Sequence, residues 1–138
     1  MKLKKEERQL LLKDLSARLP YNPMVHIHDL NTTDYDNYLY ADDLDSMMAY
    51  SIRLKPYLRP ISSMTEKEEK EYRKTMDKYI SNSDDFSKYT EYSWTIDTFD
   101  FLNAHHFDYR DLISKGLAFE APKDMYKLWR RFIFAYVI

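Results

Sequence analysis

The chain has no cysteine and one glycine, Gly116, in 138 residues. The first absence excludes disulfide staples and thiolate metal sites. The second excludes the glycine-rich loops that cradle phosphates in P-loop and dinucleotide-binding proteins, which need several glycines at fixed spacing. No nucleophile elbow of the G-x-S-x-G kind can be drawn either. Long apolar runs are also missing: the longest, Phe132 to Ile138, is far short of the roughly 18 residues of a membrane span. No transmembrane segment is expected. The N-terminus, MKLKKEERQLLLKDL, interleaves acids with its leucines and does not read as a signal peptide, so the cytoplasm is the expected compartment.

What is present argues for a folded domain. Hydrophobic residues make up 44% of the chain and aromatics 16%, with 13 Tyr and 7 Phe, which is incompatible with a disordered chain of low hydrophobicity. The length suits a single domain over 1–138 with one core. The net charge of −2 is segmented: residues 1–18, 19–52, 53–83, 84–114 and 115–138 carry +3, −6, +3, −5 and +3. Alternating blocks fit one another within a fold and do not build the one-signed field that general nucleic-acid binding requires.

Residues Lys4 to Leu19 are predicted to form an amphipathic helix with Leu11, Leu12, Leu15 and Leu19 on its stripe, ended by Pro20. Met24 to Asp29 alternates as a strand, Val25 and Ile27 on one face, Met24, His26 and His28 on the other. A second strand is expected over Asn37 to Ala41, and a third over Tyr50 to Leu54, while Leu44 to Ala49 suits helix or strand. Lys55 to Met64 holds two prolines and reads as an extended connector. Thr65 and Glu68 form a capping box for a helix buried through Tyr72, Met76, Tyr79 and Ile80, with Glu68 largely off that stripe. A polar loop follows at Ser81 to Asp85. A further helix begins at Ser93 or Thr95, with Ile96, Phe99, Leu102 and His106 along one face. Asp108 is expected to cap a short helix, Tyr109 to Lys115, closed by Gly116, so that the tandem histidines sit at a helix-turn-helix corner. Met125 to Ile138 reads as helix or strand. Together these elements make an α+β domain: an N-terminal helix, a small antiparallel sheet and C-terminal helices packed on one side.

Three segments carry a resemblance. LLLKDLSARLPY at Leu10 to Tyr21, KPYLRPISSMTEKEE at Lys55 to Glu69, and FLNAHHFDYRDLISKGLAFEAPKDMY at Phe101 to Tyr126 resemble, in the same order, a group of small proteins common in gut Bacteroidota genomes and in their prophages and phages. In that group the last segment more usually reads LNAHHFDYRGLIEKGLALEAPEGMY, so Asp111 stands where glycine is common, and the tail beyond Tyr126 is longer here. The resemblance implies a mobile-element setting, with modulation of host defence one role such a setting suggests, and brings no activity with it.

The candidate ligand-binding residues are His105, His106, Asp108, Tyr109 and Arg110, which gather histidines, an acid and a guanidinium in one short stretch. Adjacent side chains on a helix point about 100° apart, so His105 and His106 do not easily share a metal ion. No His-x-x-x-His spacing is present, and no metal or other cofactor is expected. His106 with Asp108 has the form of a base and its orienter, but no nucleophile accompanies it. Exposed tyrosines are the stronger signal. Tyr35, Tyr38 and Tyr40, with Trp129, Phe132 and Phe134 in the tail, form a candidate interface for a protein partner or for a homodimer. The function expected is that of a phage or mobile-element accessory protein that binds a host or phage macromolecule without catalysis. The alternatives are a small-ligand, nucleotide-like binder or sponge, and a metal-dependent hydrolase using the histidines.

Overall fold

A computed structural model describes residues 3–31, 33–80 and 96–126, without the side chains of 77–80. Helix α1 spans Lys5–Arg18, opened by the Glu7 carboxylate, which accepts from the Lys4 amide at 3.0 Å. A 3-10 turn over Leu19–Tyr21 carries Pro20 and ends at Asn22 in the left-handed region. Strand β1, Met24–Asp29, and strand β2, Tyr35–Tyr38, pair antiparallel. Helix α2 spans Ala41–Met48, and strand β3 spans Ile52–Leu58. After a 3-10 turn at Ile61–Ser63 come α3, Glu66–Ile80, and α4, Ile96–Ala104, and last a two-residue strand β4, Phe119–Glu120.

The sheet runs β2-β1-β3-β4. Its first three strands are antiparallel, as expected, but β4 lies parallel to β3, so the sheet is mixed. Val25, Ile27, Leu54 and Leu58 project from one face into a core closed by Leu11 and Leu15 of α1, Met47 of α2, and Leu112 and Leu117. Each leucine buried completely there contributes roughly 1.5–3 kcal/mol of transfer free energy. The α+β architecture and the N-terminal helix match the pattern of the sequence.

Several boundaries differ, each for a physical reason. The second strand begins two residues earlier than expected and stops at Tyr38, because Tyr40 donates its amide to Asp43 Oδ2 at 2.9 Å and starts α2 at Ala41. The third strand does not stop at Leu54 but runs through Pro56 to Leu58. Leu58 turns its carbonyl to the Ala121 amide on the β4 side, and strand alternation sends the Pro56 nitrogen the same way. There β4 has not yet begun, so the missing N–H leaves the β1 ladder intact.

The stripe of α1 also departs from the leucine pattern. Leu11 and Leu15 are fully buried, but so are Asp14 and Arg18, while Leu12 and Leu19 are only half-buried. Arg18 donates from Nε to Asp14 at 2.8 Å and from Nη2 to the Phe107 carbonyl at 2.8 Å. Arg110 donates to the other Asp14 oxygen at 3.0 Å and to the Tyr109 hydroxyl at 2.9 Å, which donates to Asn103 at 2.7 Å. This chain of polar groups fastens α1 to the segment after α4.

On α4 the buried positions are Thr98, Leu102 and Asn103, whereas Ile96 is exposed and Phe99 rests edge-on against Tyr109. The expected face is therefore rotated toward Thr98 and Asn103. The short helix over Tyr109 to Lys115 does not form. Asp111 sits at φ 60, which interrupts a right-handed helix, and Asp108 accepts from Leu112 and Ile113 at 2.9 and 3.0 Å, four and five residues on. The segment folds as successive turns closed by Gly116 at φ 74. Ser81 to Asp85, the start of the fourth helix at Ser93 or Thr95, and all but the first two residues of Met125 to Ile138 lie outside the described residues.

Candidate functional site

Where α4 ends, the chain turns sharply and lies beside the end of β3. The helix closes with amide bonds from His105 to Phe101, His106 to Asn103 and Phe107 to Leu102. His106 takes the left-handed position, φ 62, that glycine most often fills at a helix end. Arg59 then donates its amide to the His106 carbonyl at 2.7 Å and accepts from the Asp108 amide at 2.8 Å. That backbone reversal sends the two histidine rings in different directions.

His105 turns to α3. Its Nδ1 lies 3.1 Å from Glu68 Oε2 and its Nε2 4.0 Å from Glu71, and its ring sits 4.2 Å from that of Phe101. His106 turns inward, almost wholly buried, and stacks on Tyr126 at 3.7 Å with the rings 16° apart. The Tyr126 hydroxyl accepts from the Met24 amide at 3.0 Å and donates to the Tyr57 carbonyl at 2.5 Å, locking the stack to β1 and β3.

Glu68 is the hub of this corner. Arg59 grips it with two hydrogen bonds of 2.7 Å, and the capping box is complete, Thr65 N to Glu68 Oε1 at 3.0 Å and Glu68 N to Thr65 Oγ1 at 3.2 Å. Burial pushes the Glu68 carboxyl up, but the hydrogen bonds from Arg59 and Thr65 outweigh it and hold the group down to about 2. The Arg59 guanidinium also lies 4.3 Å over the Phe107 ring. Above this hub opens a groove of roughly 490 Å³, lined by Arg59, Pro60, Lys67, Glu71, Ala121 and Lys123 together with both histidines and Tyr126.

Of the five sequence-predicted ligand residues, the structure brings two, His105 and His106, to this groove. Asp108, Tyr109 and Arg110 are not among its lining residues. Asp108 is spent on backbone amides, and Tyr109 and Arg110 belong to the Asp14–Arg18 chain. Among the predicted interface residues, Tyr35 and Tyr40 are exposed and Tyr38 is half-buried. Trp129, Phe132 and Phe134 lie outside the described residues. Sequence reasoning missed Arg59, and it placed Glu68 off the buried stripe. The capping box was the only signal for Glu68, and nothing local marks an ion pair across nine residues.

Comparison with known proteins adds no relative. No protein-family model, no curated protein and no solved structure matches the chain.

A second cluster lies on the open face of the sheet, where the sequence had placed His26 and His28 together. His26 Nδ1 is 2.8 Å from Asp36 and its Nε2 3.3 Å from Asp34, which also pairs with His28 Nδ1, and Tyr57 donates to Asp36 at 2.9 Å. The Asp36 hydrogen bond raises the His26 pKa against the opposing effect of burial. Burial, with the neighbouring Asp36 carboxylate, pushes the Tyr57 hydroxyl up to about 12. Asp34 is thus shared by the two imidazoles, and Asp36 by His26 and Tyr57. Among the described residues, no group of three or more His, Asp or Glu is placed to hold a metal ion. Nor is any helix among them long and apolar enough to cross a membrane.

Proposed function

We propose that the protein acts by non-catalytic binding of a partner macromolecule through the groove beside His105 and His106, as an accessory protein of a phage or mobile element in the host cytoplasm. The mobile-element setting rests on sequence resemblance. The binding reading rests on one observation: the carboxylate of Glu68 and the hydroxyls of Thr65 and Ser63, which line the groove, are committed within the chain. Arg59 and Glu68 pair in a two-pronged bond, the Thr65 hydroxyl caps α3, and the Ser63 hydroxyl donates to the Pro60 carbonyl at 2.7 Å. A hydroxyl held in a cap or turn and a carboxylate held by arginine are poor nucleophiles and poor bases. What remains is a shaped, mixed-charge concavity.

A small-ligand reading has its own support, since a groove of roughly 490 Å³ lies within the span of about 300–1,000 Å³ usual for ligand pockets. Filling the groove separates the two. Wild-type protein and an Ala121→Trp variant are immobilised and exposed to host lysate, and both are inspected by native mass spectrometry after purification. Stoichiometric capture of a protein by the wild type, lost in the variant, is expected. Equal capture by both refutes the groove as the binding surface. A retained metabolite expelled by the tryptophan moves the assignment to a small-ligand binder, and turnover of any such metabolite overturns the non-catalytic reading.

A further inference from the structure

The loops at the C-terminal ends of α2 and β1 meet beside α1 and present an apolar depression flanked by two arginines. Helix α2 is closed by amide bonds from Ala49 to Asp45, Tyr50 to Met47 and Ser51 to Ser46. The closing residue is Tyr50, at φ 62. A bulky side chain in that conformation is an outlier, because glycine takes the same backbone position without a clash. The tyrosine is not there to fill the core, since 54% of it remains exposed. Leu30, equally exposed, is tethered alongside by its amide to the Ser51 carbonyl at 3.4 Å. Leu3 and Ile52 complete the apolar walls.

The charges at this place are of one sign. The Arg8 guanidinium lies over the Tyr50 ring, 4.0 Å from its centre, and its Nε is buried with no hydrogen-bond partner among the described residues. Arg53 lines the same depression, and no acidic residue does. Neither arginine makes an ion pair among the described residues. Elsewhere the chain pairs its arginines closely, Arg18 and Arg110 with Asp14, and Arg59 with Glu68. A guanidinium held over an aromatic ring and making no ion pair has terminal nitrogens left to bind a carboxylate.

We infer that this surface, Arg8 and Arg53 around Leu30 and Tyr50, docks an acidic peptide segment of a partner protein that carries an apolar side chain next to its carboxylates. The apolar walls take the side chain, the arginines take the carboxylates, and the strained tyrosine supplies both a wall and the ring that holds Arg8. A peptide fits better than a nucleic acid, because the chain is net negative and the depression of roughly 60 Å³ suits one small apolar group. The inference does not rest on the groove beside the histidines.

The test is fluorescence anisotropy of a labelled peptide in which leucines are interspersed with glutamates, against its glutamine counterpart, at low and at high salt. Saturable binding of the acidic peptide is expected, with at least tenfold weakening in Arg8→Gln, in Tyr50→Gly and in the glutamine peptide, and a steady decline with salt. Arg53→Gln, which leaves the guanidinium on Tyr50 in place, weakens it less. Tyr50→Gly relaxes the backbone, so its loss of binding cannot be laid to misfolding, and Ala121→Trp leaves binding unchanged, which separates this surface from the groove. No binding, or binding indifferent to these variants, overturns the inference. Preference for vesicles containing phosphatidylserine or for oligothymidine over the peptide overturns it in favour of a lipid or nucleic-acid surface.

Discussion

Two residues five apart in sequence test how backbone conformation limits this fold: Asp111 at φ 60 and Gly116 at φ 74. The left-handed region costs an L-residue about 1–2 kcal/mol, with aspartate toward the low end because its short polar side chain tolerates it. Glycine avoids that cost but gains about 0.4–1 kcal/mol of freedom in the unfolded chain. The difference predicts that Asp111→Gly stabilises the protein by about 0.5 kcal/mol and that Gly116→Ala destabilises it by about 0.5–1 kcal/mol. Both substitutions are clean. A Cβ on Gly116 meets nothing within 4 Å, so no steric term enters. Asp111 is exposed, and its carbonyl accepts from the Lys115 amide at 3.3 Å and the Ser114 hydroxyl at 3.1 Å, both of which glycine keeps. Urea denaturation at neutral pH reads the effect as a shift of midpoint at constant slope, and thermal melts should move by about 2–4 °C in opposite directions. A neutral Gly116→Ala, or an Asp111→Gly that destabilises, refutes the reasoning.

Removing one member of the buried Asp14–Arg18 pair should be costly, because it strands a charge at a site of zero exposure: Asp14→Ala is expected to lose about 3–5 kcal/mol in urea titration. The combined Asp14→Leu, Arg18→Met variant should recover much of that, and failure to recover would show that the bonds from Arg110 to Asp14 and from Arg18 to Phe107 carry the stability instead. Glu68, held down to about 2 from an ordinary 4.5, contributes stability that is fully present above pH 4.5 and is lost as pH falls toward 2, about 2–3 kcal/mol in all. Glu68→Gln should remove most of that acid slope. His26 works in the opposite sense: its raised pKa means that its pairing with Asp36 and Asp34 stabilises fully below the ordinary 6.5 and fades as pH rises through the folded value, a dependence that His26→Gln should flatten in melts taken from pH 5 to 8.

Much of the framework was legible in the sequence because it follows from periodicity and end signals. The alternation of Val25 and Ile27 marked β1 to the residue, and the Thr65 and Glu68 pair marked the start of α3. The tandem histidines were correctly placed at a helix end. What could not be read was pairing between distant positions. Arg18 meets Phe107 across 89 residues and Arg110 meets Asp14 across 96, so two charged residues on α1 occupy the stripe that leucine spacing had reserved for Leu12 and Leu19. Pro56 misled for a related reason. Its effect on a strand depends on which neighbour the missing N–H faces, and that neighbour, β4, lies more than sixty residues away in a two-residue strand no local pattern announces.

The scarcity of glycine acquires a structural meaning from the backbone. The described residues contain five left-handed positions, at Asn22, Tyr50, His106, Asp111 and Gly116, and the chain has one glycine to give them. Asn22 and Asp111 are residues whose side chains suit that conformation, and they close turns. His106 uses its position to drive an imidazole into the floor of the groove against Tyr126. Tyr50 has no such burial to offset its strain, only the Arg8 guanidinium stacked on an exposed ring. Strain that the core does not explain is the kind a binding surface explains. Of the two left-handed residues with large rings, His106 has its strain offset by burial and Tyr50 does not, which is why docking is assigned to the depression beside α1.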